Sequence, residues 1–304
     1  MGFNPLVTVI VTTYNRKELL KETIDSILNQ TFKNFELIVV DNFSDYDFLA
    51  HVESFNDDRI KTFQNQNNGV IAVNRNYGMK RAKGEYIAFC DDDDFWEEKK
   101  LEEQLKYLKD NSLIGVGTSL KLINSESSII EELKKDENRL LGLNEIVFES
   151  VPLSSLIIKN IGLLFDESTS FIAVEDFDLQ INLVSQSRKP ILCLSKPLTY
   201  YRIDSQNKSS GLQQKLNCLN VINKYDKELS SNTKNKLHQL INYRIGIKYL
   251  LLPEYVEARL HFLKALKRVS FCNRKIIKSF FFLIITYFPQ FIRRVFIARL
   301  LVRS

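Results

Sequence analysis

YIAFCDDDDFW, residues 86–96, joins a short apolar run to four consecutive aspartates. The apolar part predicts a buried strand of a parallel sheet, since such strands read as continuous β-prone runs bounded by turn residues, here Gly84. In open α/β sheets, ligands bind beyond the carboxyl ends of the strands. Four carboxylates there repel one another unless a cation or hydrogen-bond donors hold them, and oxygen ligands suit Mg²⁺ or Mn²⁺. The alternative interpretation of the four aspartates is a solvated acidic loop, whose negative charge favours the dipole of the helix that follows.

Strands and helices alternate over the first hundred residues. Apolar runs at residues 6–12, 35–40 and 60–63 predict strands, and helical spacing predicts helices after the first strand and at residues 70–82 and 97–109. This alternation predicts an α/β fold with a doubly wound, mostly parallel central sheet. Further strands are predicted at residues 114–123, 153–158, 190–194 and 198–202, a helix near Asp176, and a polar loop with a helical piece at 124–145.

Polar residues follow three of the predicted strands. They are the turn Thr13-Tyr14-Asn15, Asp41 and the aspartates after residue 90. If these strands are neighbours, the side chains converge on one crevice that is large enough for a nucleotide. No GxGxxG or GxxxxGK[ST] motif occurs, so the dinucleotide and P-loop interpretations lose their main support. We therefore expect a metal to neutralise the phosphates.

A second acidic pair, Glu175-Asp176, lies where a helix is predicted to begin. The two charges fit a first helical turn, where they favour the helix dipole. A carboxylate facing the crevice is also a candidate to take a proton from a hydroxyl group. Arg202, at the end of the last predicted strand, is a candidate to meet phosphate charge.

The charge of the chain is unevenly distributed. Of its 304 residues, 242–304 hold 13 Lys or Arg against 2 Asp or Glu, a net +11, whereas the remainder holds 29 against 35, a net −6. The four cysteines show no CxxC pair, which indicates neither a disulfide framework nor a zinc site and fits a reducing compartment. The amino-terminal residues lack the basic start of a signal peptide, so we expect a cytoplasmic protein.

The basic carboxyl-terminal region contains SFFFLIITYFPQFI, residues 279–292, which carries no charge. A spanning helix needs about 20 apolar residues, so this stretch is expected not to cross a membrane. It is followed by Arg293, Arg294, Arg299 and Arg303 among apolar residues. This pattern favours an interfacial helix on an anionic membrane, with packing on the rest of the protein as the alternative. Nucleic acid fits less well, because no recognised binding motif accompanies the charge.

Seven motifs between residues 6 and 210 together resemble the inverting glycosyltransferases of family 2, which adopt the A-type nucleotide-sugar fold (GT-A). The motifs are VTVIVTTYNR, ELIVVDNFSD, NNGVIAVNRNYG, AKGEYIAFCDDDDFW, GLLFDES, VEDFDLQINL and LTYYRIDSQNKSS. The resemblance implies a Rossmann-like GT-A catalytic domain over residues 1–211. Residues 212–304 are then a basic helical extension.

The resemblance also implies roles for individual residues. Thr13 and Tyr14 correspond to contacts on the nucleobase side, Asp41 to the carboxylate that reads the base and Arg75 to an arginine near the nucleotide. Asp91 and Asp93 correspond to the DxD pair, with Asp91 or Asp92 reaching the ribose or metal-bound water, and Asp176 corresponds to the catalytic base. Asn15 and Glu175 are expected to bind substrate. Asp93 is the expected direct metal ligand, with Asp91 as a second. Two departures stand out: Asn42-Phe43 replaces the usual acid and glycine, and Asp204 replaces a histidine.

These implications point to a metal-dependent inverting glycosyltransferase that uses Mn²⁺ or Mg²⁺. The expected donor is a nucleotide sugar, most commonly UDP-linked, and the expected acceptor is a saccharide or lipid-linked saccharide in surface polysaccharide biosynthesis. The protein is then expected at the cytoplasmic face of the inner membrane, without a nucleic-acid partner. A non-catalytic nucleotide-sugar-binding or scaffold protein is the alternative. A nucleotidyltransferase lacks support, since no glycine- and arginine-rich loop follows the first strand.

Overall fold

The structure, a computed structural model, describes residues 4–109, 111–203, 211–267 and 274–287. In the last of these ranges, side chains are described only from residue 277 onward. The chain divides into two compact units, Met1–Asn207 and Lys208–Ser304. The catalytic and membrane roles that the sequence suggests for the two parts stay predictions.

The first unit is built on one ten-stranded sheet. The strands are β1 (Val7–Thr13), β2 (Phe35–Asp41), β3 (Ile60–Gln64), β4 (Tyr86–Asp91), β5 (Phe95–Trp96), β6 (Gly115–Ile123), β7 (Ile129–Leu133), β8 (Arg139–Leu141), β9 (Ile157–Lys159) and β10 (Ile191–Arg202). The helices are α1 (Lys17–Leu28), α2 (Phe48–Glu53), α3 (Ile71–Met79), α4 (Lys100–Leu108), α5 (Leu143–Ile146) and α6 (Glu175–Ser187).

The strands lie in the order β3-β2-β1-β4-β9-β6-β10-β5, with β7 on β6 and β8 on β10. The long pairings, β3-β2-β1-β4 and β6-β10, are parallel, and the antiparallel ones are shorter. Every residue of β1 and β2 is buried, as expected of central parallel strands with both faces covered. The predicted α/β fold with a mostly parallel central sheet is confirmed.

Gly84 lets the chain enter β4 close to β1. A Cβ atom at this position would lie 2.4 Å from the backbone nitrogen of Thr8 and 2.8 Å from the carbonyl oxygen of Tyr86. No side chain fits there, so the glycine fixes the approach of the two central strands.

Three sequence-based element predictions were wrong in detail. Residues 153–158 form a 3-10 turn, Leu153–Ser155, before the short strand β9. Residues 124–145 contain β7 and β8 besides a helical turn. β7 is exposed at all five positions and is held by backbone pairing with β6, so its residues do not alternate between a buried and an exposed face. Residues 190–202 form one strand, because register shifts around Pro197 accommodate a residue that cannot donate to the ladder.

The second unit contains the helices α7 (Leu212–Lys224), α8 (Ser231–Leu251), α9 (Tyr255–Lys267) and α10 (Arg274–Ile285). Phe262 of α9 and Phe282 of α10 stack with ring centroids 5.9 Å apart in its apolar cluster. Gly246 allows α8 to approach α9, since a Cβ atom there would lie 2.7 Å from the Phe262 ring.

Within the described ranges, none of the helices combines the length and apolarity that crossing a bilayer takes. The end of the apolar stretch 279–292 and all four arginines after it lie outside the described residues.

Candidate functional site

The carboxyl ends of three neighbouring strands lie level at one edge of the sheet. Thr13 of β1 pairs with Asp41 of β2, and Thr12 pairs with Asp91 of β4. The polar residues that follow these strands in the sequence are therefore side by side, at the edge where α/β sheets bind ligands.

The four aspartates form a tight turn between β4 and β5. Trp96 of β5 pairs with Thr199 of β10, which closes the turn at its far end. Asp92 is 6% and Asp94 is 2% exposed, so the acidic run is not a solvated loop.

Hydrogen-bond donors from β1 and the following turn hold the aspartates. The Thr13 hydroxyl donates to Asp92 Oδ2 at 2.7 Å. One nitrogen of Arg16, Nη1, donates to both Asp92 Oδ1 at 2.9 Å and Asp93 Oδ2 at 2.7 Å. Arg16 therefore supplies one positive charge to two adjacent carboxylates.

The pKa values of these acids reflect their burial. Burial raises the pKa of Asp92 to about 6, although Arg16 and Thr13 oppose the shift. Burial followed by repulsion from Asp91 raises the pKa of Asp93, and the same causes raise that of Asp94 well above its usual range. A further cation would stabilise the ionised forms.

Arg75 connects this acidic turn to the second acidic pair. Its Nη2 donates to Asp91 Oδ1 at 2.8 Å and its Nη1 donates to Glu175 Oε1 at 2.7 Å. Arg75 and Glu175 are 6% and 7% exposed, so this half of the bridge is buried, while the Asp91 half is partly buried. Arg75 thus joins Asp91 to Glu175, a residue a hundred positions further along the chain than the arginine itself, and both acidic foci lie at the same site.

Asp176 lies next to that bridge, in the first turn of α6. Its side chain is half-buried, and its Oδ1 accepts a hydrogen bond from the backbone N–H of Phe177 at 2.8 Å. Burial raises the pKa of Asp176 to about 6, the charge of Glu175 adds to the shift, and Arg75 opposes it. A carboxylate with this pKa is ionised at neutral pH yet more basic than an ordinary aspartate, which suits a general base.

Asp41 is fully buried and organises the turn after β2. Its Oδ1 accepts from the Ser44 hydroxyl at 2.5 Å, and its Oδ2 accepts from the Ser44 backbone N–H and from Gln64, both at 3.0 Å. Phe43, which stands where the family has glycine, has a φ of 59°. The turn therefore keeps the left-handed backbone that glycine favours.

Asn15 joins this turn to the one after β1. Its backbone N–H donates to the Ser44 hydroxyl and its Nδ2 donates to Asp45, both at 2.8 Å. In the described structure Asn15 thus connects the two loops by hydrogen bonds, and its contact with a substrate stays a prediction.

An open cavity of about 540 Å³ lies between these elements. Thr13, Tyr14, Arg16 and Asp92 line one part of it, and Asn42, Asn67 and Asn74 line another. The volume is within the range of small-molecule sites. Tyr14 is 51% exposed and free to contact a ligand, and Asn74 Nδ2 is buried without an acceptor among the described residues.

Arg202 binds protein groups with all of its donors. Its Nε donates to the Asp93 carbonyl, its Nη1 to the carbonyls of Asn124 and Ser125, and its Nη2 to Glu22 and Ser127. Its backbone N–H also donates to Asp94 Oδ1 at 2.9 Å. In this arrangement Arg202 fixes the acidic turn, and the predicted phosphate contact stays a prediction. Asp204 lies outside the described residues.

The site suits a divalent cation only in combination with a ligand. No three His, Cys, Asp or Glu side chains in the described ranges come close enough to hold an ion by themselves. Asp91 and Asp93 nevertheless flank Asp92, which lines the cavity, and their side chains are 33% and 15% exposed. Mg²⁺ commonly takes one or two carboxylates and completes its shell with substrate phosphates, so these residues fit such an ion.

Sequence reasoning passed over Arg16 and Asn74. Each adjoins a predicted site residue, Asn15 and Arg75 respectively, but the sequence gives no indication of its contacts. Arg16 is revealed by its two aspartate contacts, and Asn74 by its unpaired buried amide at the cavity.

Curated relatives cover different lengths of the chain. An uncharacterized glycosyltransferase of Rickettsia bellii is 33% identical over 66% of this chain but only 29% of its own length, so the chain spans less than a third of that relative. The Escherichia coli protein WfaP, named UDP-Glc:alpha-D-GlcNAc-diphosphoundecaprenol beta-1,3-glucosyltransferase, is 31% identical over 71% of this chain and 86% of its own length.

Two solved structures share the fold. Staphylococcus aureus TarS 1-349 in complex with UDP-GlcNAc has a TM-score of 0.68 and 20% identity, covering 87% of this chain and 81% of that one. The Pyrobaculum calidifontis mannosyltransferase PcManGT in complex with GDP-Man and Mn²⁺ has a TM-score of 0.59 and 14% identity, covering 98% and 84%. The GT-A fold is therefore shown.

The family described as Glycosyl transferase family 2 matches residues 8–161, which include β1 to β4, the acidic turn and Arg75. Together with the WfaP relationship, this match shows that the chain belongs to glycosyl transferase family 2.

Proposed function

We propose that this protein is a metal-dependent inverting glycosyltransferase that moves a sugar from a nucleotide-sugar donor to an acceptor hydroxyl. The observation that carries the proposal is the Arg75 bridge between Asp91 and Glu175, because one guanidinium group joins the two acidic foci. Membership of the family gives independent support.

The cavity is proposed to hold the nucleotide part of the donor. Thr13 and Tyr14 lie at its β1 side, and the nucleobase is proposed to bind between them and the turn that Asp41 organises. Asn15, next to Tyr14 in the chain, is proposed to bind substrate as well. Arg75, Asp91, Asp92, Glu175 and Arg202 are proposed to bind or orient the rest of the donor. Asp93 and Asp91 would hold a divalent ion, which when bound neutralises charge on the departing diphosphate.

Asp176 is proposed to be the general base. It takes the proton of the acceptor hydroxyl as that oxygen bonds to the anomeric carbon. The bond to the diphosphate oxygen breaks on the opposite side, so the anomeric configuration inverts. General-base assistance of this kind contributes about 10²–10⁴-fold to a rate.

The substrates are proposed from the named relatives. TarS was solved with UDP-GlcNAc and WfaP is named for a UDP-Glc donor, which supports a UDP-linked sugar. The name of WfaP also gives a diphosphoundecaprenol-linked acceptor, which supports a lipid-linked saccharide and surface polysaccharide biosynthesis. PcManGT was solved with Mn²⁺, which supports Mn²⁺ or Mg²⁺. We further propose that the protein works at the cytoplasmic face of the membrane that carries the acceptor.

The proposal is tested with a panel of nucleotide sugars and Mn²⁺, with donor binding and donor cleavage measured separately. We expect a UDP-sugar to bind and to be cleaved, both with loss of signal when EDTA is added. Binding without cleavage or transfer would instead favour a nucleotide-sugar-binding or scaffold protein. Donor binding that EDTA leaves unchanged would contradict the metal role.

A further inference from the structure

The outward face of α10 carries large apolar side chains. Ile277, Phe280, Phe281, Ile284 and Tyr287 are between 43% and 67% exposed, and their spacing places them on one side of a helix. The opposite side already has its partners, since Phe282 and Ile285 are buried in the apolar cluster of this unit. Ile277, Phe280 and Ile284 do not belong to that cluster, whereas Phe281 contacts the Phe282 ring and Tyr287 contacts Arg259.

The helix before it repeats the pattern. Val256, Leu260 and Leu263 of α9 are 73%, 44% and 44% exposed at helical spacing. Lys264 and Lys267 are exposed at the end of the same helix. Of the 25 large apolar residues that are exposed in the described structure, ten lie between residues 251 and 287. Such a concentration of exposed apolar side chains marks an interaction surface.

The charge of the region identifies the kind of partner. Residues 258–304 contain eleven Lys or Arg and no Asp or Glu. A second copy of this chain would bring the same positive charge to the contact, and a nucleic acid would leave the phenylalanines and isoleucines without a partner. An anionic lipid surface matches both, because its headgroups attract Lys and Arg while its interfacial layer takes up apolar and aromatic side chains.

We propose that the outward faces of α9 and α10 dock on an anionic lipid bilayer. This surface contains none of the residues assigned to the cavity, so docking can be measured separately from the transfer reaction. The proposal rests on the proposed function, because a lipid-linked acceptor lies in a membrane, and it names the residues that bind the protein to that membrane.

The test is flotation of the full chain with vesicles of neutral phosphatidylcholine, alone or mixed with anionic phosphatidylglycerol. No nucleotide sugar is added. We expect the protein to float with the mixed vesicles and to remain at the bottom with the neutral ones. Equal flotation with both kinds of vesicle would overturn the anionic part of the proposal.

The double variant Phe280→Ser/Ile284→Ser removes two exposed apolar side chains and should leave the fold intact. Its partition coefficient onto mixed vesicles should fall at least about tenfold, given the transfer free energy of two such side chains. The matched control is Ile130→Ser/Leu140→Ser in the first unit, where both residues are 59% exposed. The control should float as the parent does.

Three results would overturn the docking surface. The first is flotation of the α10 variant equal to that of the parent, and the second is an equal loss in the control. The third is a dimer in light scattering that the α10 variant abolishes, because the face would then join two copies. Asp176→Asn should float like the parent, so failure of the transfer reaction and failure of docking are distinguishable.

Discussion

The two units depart from the usual distribution of side chains in opposite ways. The first buries charges: Arg75, Arg202 and Asp94 are 6%, 6% and 2% exposed. The second exposes apolar groups, such as Ile277 at 61% and Phe280 at 57%. Soluble proteins normally keep charges outside and large apolar clusters inside. Each unit thus departs from this distribution where we propose that it binds something. The first uses buried charges for a nucleotide sugar, and the second uses exposed apolar side chains for a lipid bilayer.

The sharpest test of the first unit is Asp176→Asn, which keeps the shape of the side chain and removes the base. We expect the rate of sugar transfer to fall by about 10²–10⁴-fold, because proton removal from the acceptor loses its assistance. Donor affinity, measured by calorimetry, should stay close to that of the parent. A variant that turns over at the parental rate would contradict the role of Asp176.

Arg75→Ala tests whether the buried charges form one connected structure. Removing the guanidinium leaves Asp91 and Glu175 without their shared partner, and breaking a buried pair in this way costs roughly 3–5 kcal/mol. Urea denaturation followed by circular dichroism measures the change in the free energy of unfolding. Lys21→Ala, which removes an exposed ion pair with Asp25, is the control and should leave that free energy unchanged.

Phe262→Ala and Phe280→Ala compare the inner and outer sides of the second unit. Phe262 is fully buried, so its truncation should destabilise the protein by about 3–5 kcal/mol. Phe280 is 57% exposed, and its truncation should change the free energy of unfolding by less than about 0.5 kcal/mol. Equal losses in the same urea experiment would mean that the outer face is part of the core.

The pH dependence of transfer tests the electrostatics of Asp176. Burial raises its pKa to about 6, and a general base works only when ionised. We therefore expect the rate to rise with pH by about tenfold per unit below pH 6 and to level off above it. The effect of pH on stability has the opposite sign. Because the pKa of Asp176 is higher in the folded than in the unfolded protein, its contribution to the free energy of unfolding is lost as the pH rises through about 6. A rate that stays flat between about pH 5 and pH 7 would contradict the raised pKa of Asp176.

Arg16→Ala is expected to have the smallest effect. Its guanidinium occupies oxygens of Asp92 and Asp93, one of which is the proposed metal ligand. Without this competing cation, Mn²⁺ should bind a few-fold more tightly in the absence of nucleotide, as measured by electron paramagnetic resonance. Weaker Mn²⁺ binding in the variant would show that Arg16 shapes the site instead of competing for it.

The central sheet was predictable because its strands are short apolar runs that end in polar residues. β1, β2 and β4 follow this pattern, and their polar ends lie together at one edge. β7 was not predictable, since its sequence IIEEL is exposed throughout and its position depends on the edge of β6. The single strand β10 was missed because Pro197 marks a break in the sequence that the fold absorbs as a register shift.

For the candidate site, the sequence indicated the acidic runs but not the contacts that join them. Asp91 and Glu175 were each marked by an acidic run, but their joint contact with Arg75 depends on tertiary structure across a hundred residues. The same holds for Arg202, whose partners Glu22 and Ser127 belong to distant segments. The sequence shows which charged side chains the protein has, and tertiary packing determines which of them form contacts.

Trp96 gives the acidic turn a spectroscopic label of its own. It is the only tryptophan of the chain, two residues after Asp94, and it is 3% exposed with its indole N–H donating to the Ser154 carbonyl at 2.8 Å. Lys100 Nζ lies 3.9 Å from the ring centroid, and burial lowers the pKa of this lysine to about 7, so the emission of the fluorophore depends on the electrostatics inside the first unit. A donor or metal ion that shifts the turn will therefore change the intrinsic fluorescence, and its binding can be titrated without a dye, a coupled enzyme or a known acceptor.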